Sequence, residues 1–412
     1  MFGGNLGGTA ASVEHRRPQI DFRLPKMYLA QELVDYIIDF LHDDPITLRQ
    51  VSLVSRSWAG RTRIHLGETL KITRPIPLSS NTSHLPPLSG YVKTLHFTWP
   101  SNTTDPSTIL DCFEQSEPRT LSIHSCELRA LDEQAIRRCF TNFPCPSITA
   151  LELHSISSTH ETLLILLSLF PNVDDLTISV NRWSGRGAPN ENTIIQRIPH
   201  PPLRGSFKLL DPPGQGYRGF QRGKPLRTIA ALPLQFKTVS LNAEEQSRRD
   251  VSIFLNSCSK TVKKVFIGMT YRESPPCIPF HSPVRSLCER IANQMIDWPT
   301  LFDFAHLEKL YINAKLDNPS PQSARPFLWS VASPCLRRVI LEARGSITGG
   351  AFDWPSIDES LVDLVERHKA RGNVTLQIQI STTEDPEKVR ELLPRAARES
   401  VFEVFYTERP GY

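Results

Sequence analysis

Apolar residues near the N-terminus fall at Leu29, Leu33, Tyr36, Ile37, Phe40 and Leu41, the i, i+4, i+7, i+8 spacing of one helix face. His42-Asp43-Asp44-Pro45 interrupts the run. An Asp ahead of Pro starts a new helix, the carboxylate capping free N–H groups while Pro takes the first turn. The pattern predicts a second short helix carrying Leu48, Val51 and Val54 on one side, then a third segment anchored by Trp58 and ending near Ile64. Val34, Ile37, Ile38 and Leu41 make the first helix apolar on more than one side, so it needs burial on a second surface. Three short helices in about forty residues hold a thin core. Either the rest of the chain or a separate partner must supply that surface.

Beyond residue 90 the period changes. VKTLHF (92–97), RTLSIHS (119–125), ITALELHS (148–155) and VDDLTISV (173–180) alternate apolar and polar positions, as short strands with one buried face do. Leu151 and Leu153, and Leu176 and Ile178, are the expected inward pairs. Helix-like segments lie between them at 131–143 and 160–172. FKTVSLNA (236–243), VKKVFIGM (262–269), LEKLYINA (307–314) and LRRVILEA (336–343) repeat the phrase, with a helix candidate at 248–258. Strand, helix, strand at this spacing predicts an α/β repeat array in which each unit buries its faces against its neighbours. At the C-terminus, Ser356 and Glu359 have capping-box spacing ahead of a helix that Gly372 is placed to stop. A strand at 374–381, a helix over DPEKVRELLPRAA and a strand at 401–407 then form a cap.

The stretch LAQELVDYIIDFL…LRQVSLVSRSW resembles an F-box, whose pattern is an LP-x-E-L start, a hydrophobic helix and a V-S-x-x-W close. It is most similar to the F-box-plus-repeat proteins abundant in mushroom-forming fungi, and the match covers about a tenth of the chain. Ala30 stands where the family usually has proline. The resemblance implies a small three-helix F-box followed by an irregular, curved leucine-rich-repeat-like solenoid. It also implies that Leu29, Leu33, Ile37, Ile38, Leu41, Leu48, Val51, Val54 and Trp58 form or support a surface docking a Skp-family adaptor. That adaptor would link to a cullin scaffold while the repeats hold a protein substrate for ubiquitin transfer. The alternatives are a protein-interaction module with a vestigial F-box and a binder of nucleic acid or another acidic partner.

The expected organisation is a disordered tail (1–24), an F-box-like domain (25–72), a Pro/Ser-rich linker (73–90), a repeat domain (91–381) and the cap (382–412). A chain of 412 residues has ample material for this, and its net charge of +4 is too modest for a generic polyanion binder. Its longest apolar run, 163–170, falls well short of the roughly 20 residues that span a bilayer. With no secretory h-region at the N-terminus, the expectation is a soluble protein of cytoplasm or nucleus, without membrane contact. The eight cysteines show no C-x-x-C pair and read as buried small hydrophobes.

Residues 181–230 are the compositional exception. Nine Lys or Arg stand there against Glu191 and Asp211, a net of +7, so the remainder of the chain sums to −3. Seven Gly and seven Pro predict a long loop that breaks the repeat. Its Arg182, Arg186, Arg204, Arg218, Arg222 and Lys224 are candidates for holding an acidic or phosphorylated partner. Nucleic acid is the weaker reading, because few aromatics interleave the charges. GQGYRG (214–219) matches G-x-G-x-x-G, but Pro212-Pro213 precede it where a strand is required. The twelve histidines are scattered, and His96, His124 and His154 sit in strand elements, where they are expected to face outward. There is no H-E-x-x-H and no G-x-S-x-G. No catalytic residue, metal ligand or cofactor is expected, and the chain reads as non-catalytic.

Overall fold

The computed structural model describes residues 29–72, 91–98, 110–114, 116–183, 201–210, 224–244, 248–270, 302–315, 328, 331–344, 354–370, 376–382, 385–399 and 401–406. The expected tail and linker, and Gly372, lie outside these residues. The chain divides into two compact units, Met1–Leu66 and Gly67–Tyr412.

The first unit holds α1 (Gln31–Phe40), α2 (Pro45–Val51) and most of α3 (Arg56–Glu68). Asp44 caps α2 as its sequence predicts, accepting from the N–H groups of Ile46 (3.1 Å) and Thr47 (3.0 Å) with Pro45 in the first turn. Val34, Ile38 and Leu48 form the core, and Leu41, Val51, Trp58 and Leu66 pack against it.

The second unit is mixed α/β and built on one twelve-stranded sheet. Its first half contains β1 (Thr69–Ile72), β2 (Thr94–Thr98), β3 (Thr120–His124), β4 (Ala150–Ser158), β5 (Asp175–Trp183) and β6 (Leu203–Leu209). Next come β7 (Leu234–Glu244), β8 (Lys264–Thr270), β10 (Lys309–Lys315), β12 (Arg338–Arg344), β13 (Gln377–Thr382) and β14 (Val401–Tyr406). Two short strands, β9 (Phe302–Asp303) and β11 (Val331–Ala332), pair apart from it. Every pairing in the large sheet is parallel and the strand order never reverses. With that order, right-handed crossovers put the described connecting helices on one side of the sheet, and the side they leave is the open side among the described residues.

Register stacks like on like. One inward row runs Leu70, Leu95, Leu121, Leu151, Leu176, Phe207, Val239, Val265, Leu310, Val339, Ile378, Phe402, one residue from each strand. The helices close over such rows. They are α4 (Glu133–Cys139), α5 (His160–Ser168), α6 (Lys224–Ala230), α7 (Arg248–Cys258), α8 (Trp354–Ala370), α9 (Pro386–Leu392) and α10 (Pro394–Glu399). Phe254 of α7, for example, meets Phe207 of β6 at a ring distance of 4.8 Å. Burying each such side chain contributes about 1.5–3 kcal/mol.

Four expectations need correction. Residues 69–72 pair with β2, so the division between units falls at Leu66/Gly67 rather than after 72, and the sheet unit starts well before the 91 expected for the repeats. The basic window is not one long loop: it contributes β6 and α6, whose Leu203, Phe207, Leu226 and Ile229 are buried. Helix α8 starts at Trp354, with Pro355 in its first turn, so Ser356 lies inside the helix rather than at its cap. The expected helix over DPEKVRELLPRAA is two helices, divided at Leu393 because Pro394 has no N–H to continue the first. The strand expected at 401–407 is present as β14, at the end of the ladder order.

Gly205 is where β6 accommodates its neighbours. It has φ +69°, the register with β7 shifts there, and an added Cβ would lie 2.2 Å from the Asp174 carbonyl oxygen. Ser206 N–H donates to that same oxygen at 2.7 Å. Gly205→Ala is therefore expected to destabilise the sheet unit by about 1–3 kcal/mol from backbone strain alone, measurable as a lower urea midpoint. An unchanged midpoint would contradict this placement.

Candidate functional site

The first unit carries an apolar face that its own core leaves uncovered. Leu29, just ahead of α1, and Leu33, Tyr36, Ile37 and Phe40 on it follow the predicted stripe, and they face solvent: Leu33 is 49% exposed, Tyr36 70% and Phe40 79%. The stripe one position round, Val34 and Ile38, is the one buried. Ile46, Leu53 and Val54 are exposed as well. Two apolar stripes on one helix satisfy two surfaces, and the three-helix core takes only the inner one.

The candidate residues divide accordingly. Leu29, Leu33, Ile37 and Val54 are exposed, Ile38 and Leu48 are buried, and Leu41, Val51 and Trp58 are half-buried against the core. Val54 was expected beside Leu48 and Val51. It turns outward because α2 ends at Val51 and the chain then makes a turn, with Leu53 N–H donating to Gln50 O and Val54 N–H to Val51 O. Tyr36, Phe40, Ile46 and Leu53 were missing from the candidate set. The i, i+4, i+7 spacing held the signal for the first two; no periodic signal marks the last two.

Ala30 caps α1 with φ −57° and ψ 140° and no side-chain hydrogen bond. Proline fixes φ near −65°, so Ala30 already holds the backbone that a proline would impose.

Asp39 ties α1 to α3. Its two oxygens accept from Arg61 Nε and one Nη, both at 2.7 Å, and from His65 Nε2 at 2.8 Å. The Arg61 hydrogen bonds, then the His65 one, hold this carboxyl far below the usual range despite some desolvation.

No family model matches the chain, and no curated protein matches it.

On the second unit the open side of the sheet gathers three histidines that are far apart in sequence. Register places Thr98, His124 and His154 side by side, with His96 one row below. The His124 and His154 rings stack at 4.6 Å and 18°, and His96 lies 6.1 Å from His124. Ser122 Oγ is 3.0 Å from His124 Nε2, and Glu152 Oε2 is 3.2 Å from His154 Nε2. Burial lowers the pKa of His96 and His124; nearby Lys71 acts on His96 and the neighbouring imidazoles act on both in the same sense. Burial works the other way on Glu152, but hydrogen bonds from His154 and Ser122 outweigh it and keep the carboxyl low. Ser125 and Ser155, which follow the stacked histidines, both take left-handed backbone (φ 56° and 55°). The buried Ser122 hydroxyl is not presented to a substrate. Among the described residues, no group of three or more His, Cys, Asp or Glu is placed to hold a metal ion.

The basic candidates are not brought together into a described site. Arg204 is exposed on β6, while Arg186, Arg218 and Arg222 lie outside the described residues, as do the side chains of Arg182 and Lys224. Arg227, in the same window, is paired with Asp250. Cys126, Cys139, Cys145 and Cys258 are buried, and burial pushes the Cys145 and Cys258 thiols up to about 12. Among the described residues no helix is long and apolar enough to cross a membrane.

The Asp39 clamp has a pH signature. Its carboxyl titrates lower in the folded unit than in the unfolded chain, so the clamp's stabilisation is complete above the ordinary value of 3.8 and is lost as pH falls through the folded one. Asp39→Asn should be less stable than the parent at pH 7, and that gap should narrow below about pH 4. Urea unfolding followed by a fluorotryptophan resonance at Trp58 reads this. A gap that stays constant to pH 2 would contradict the clamp.

Proposed function

We propose that this chain is the substrate-recognition adaptor of a Skp-cullin-F-box ubiquitin ligase. In this reading the first unit is an F-box docking a Skp-family adaptor, and the second is an irregular leucine-rich-repeat-like solenoid that holds a protein substrate. The observation that carries the reading is the uncovered stripe Leu29, Leu33, Tyr36, Ile37 and Phe40 on a helix whose other stripe is already buried. Leaving large apolar side chains in water forgoes about 1.5–3 kcal/mol each. A unit with a core this small gains most by covering them with a partner. The F-box-like motif runs through the same helix.

No ubiquitin needs to pass through the chain. Its contribution is proximity, raising the effective concentration of a bound substrate near a charged conjugating enzyme. The parallel sheet suits this role, since its open side presents side chains from twelve strands on one surface.

The test separates the face from the core beneath it. Leu33→Glu and Phe40→Glu should each weaken binding of a purified Skp-family adaptor at least thirtyfold, as loss of an apolar hot spot does, with the urea midpoint of the first unit unchanged. Ile38→Glu, which buries a charge, should unfold that unit. Wild-type affinity in both surface variants, or no adaptor binding by the parent chain, would refute the ligase reading and leave a protein-interaction module with a vestigial F-box.

A further inference from the structure

On the open side of the sheet, three cations stand directly opposite one another on neighbouring strands: Lys264 of β8, Lys309 of β10 and Arg338 of β12. Like charges in direct cross-strand register oppose folding. Local acid relieves them only in part. Glu308 is engaged first by Lys263 at 3.2 Å, whose hydrogen bond lowers the Glu308 pKa, and Lys264 adds only a smaller through-space attraction. Arg338 Nε donates to the neutral Gln377 at 2.8 Å. Lys264 and Lys309 are exposed and form no ion pair among the described residues.

The next row along the same strands is apolar: Phe266, Tyr311 and Ile340. The Phe266 and Tyr311 rings meet at 5.4 Å and 42°, and Phe266 is 37% exposed. The Tyr311 hydroxyl donates to Glu342, which also accepts from Asn313 Nδ2 at 2.8 Å. Glu342 is itself buried, so it fixes the Tyr311 ring without presenting a carboxylate to the surface. A fixed aromatic shelf thus lies beside a cationic row that is only partly compensated.

We propose that this surface binds an extended acidic protein segment, its Asp or Glu side chains on Lys264, Lys309 and Arg338 and an apolar side chain on Phe266 and Tyr311. Strands lie about 4.8 Å apart, so the three cations span roughly 10 Å, and an extended chain rising about 3.3 Å per residue crosses them in about three residues. Separate charges spaced along a line match a run of single carboxylates better than one dianion, which converging cations hold best. The two rings lean against each other and leave no parallel slot for a base, which disfavours nucleic acid. The inference deepens the ligase reading by naming a substrate class, and rests on that reading only for the word substrate.

The test uses the full chain and a fluorescent hexaglutamate peptide ending in phenylalanine, read by anisotropy. Binding should weaken as salt rises, and Lys309→Glu should weaken it at least tenfold. Lys309→Glu should also raise the thermal midpoint, because opposite charges then alternate across the three strands. Loss of binding with a raised midpoint separates recognition from damage to the fold. If that variant melts lower instead, Lys309→Gln decides: lost affinity at an unchanged midpoint supports the site, and retained affinity overturns it. The proposal is also overturned if the peptide does not bind, if Lys309→Glu binds it normally, or if oligouridine or a neutral phosphoserine peptide binds more tightly. Adaptor binding is measured on the same samples. Peptide binding without adaptor binding keeps this site and removes the ligase reading; the reverse removes only this site.

Discussion

Everything in the second unit depends on parallel register. A strand with one apolar face gains little alone, and here each inward residue stacks on its equivalent in the next strand, from Leu70 to Phe402. The same register that makes the core continuous also aligns the outward residues. It brings His96, His124 and His154 together from three strands, and Lys264, Lys309 and Arg338 from three others. Side chains that would repel or crowd one another elsewhere are held adjacent because the inward rows dominate the energetics. Each buried leucine or phenylalanine contributes about 1.5–3 kcal/mol, whereas cross-strand pairs are worth about 0.2–1 kcal/mol.

The first unit works under the opposite constraint, with more apolar surface than its core can use. Val34, Ile38 and Leu48 fill that core, and the Asp39–Arg61–His65 cluster joins α1 to α3 at partly exposed positions. Solvent screening keeps such a cluster a modest contributor. The outer stripe of α1 therefore adds nothing to the isolated unit and gains value when something covers it, which is the physical content of the docking proposal.

Much of this architecture is legible in the sequence where alternation is clean. ITALELHS and LRRVILEA announce β4 and β12, and RRDVSIFLNSC coincides with α7. It fails where local chemistry conceals the period. In β6, Leu203 and Phe207 lie among glycines, prolines and arginines, and the bulge at Gly205 puts the strand out of step with β7. TLKI of β1 is too short to show a period and follows a helix without a break. For the candidate site, spacing identified both apolar stripes of α1 but not which one the core would take; packing of α2 and α3 decides that. The cationic row needs register to be seen at all, since its members are spread over 75 residues.

The most direct test of the docking account is hydrogen exchange on the full chain, with and without a purified Skp-family adaptor. Docking through this face should give new protection in α1 and in the segment from Ile46 to Val54, with exchange along the sheet strands unchanged. Protection confined to the sheet, or none in α1 at saturating adaptor, would contradict it.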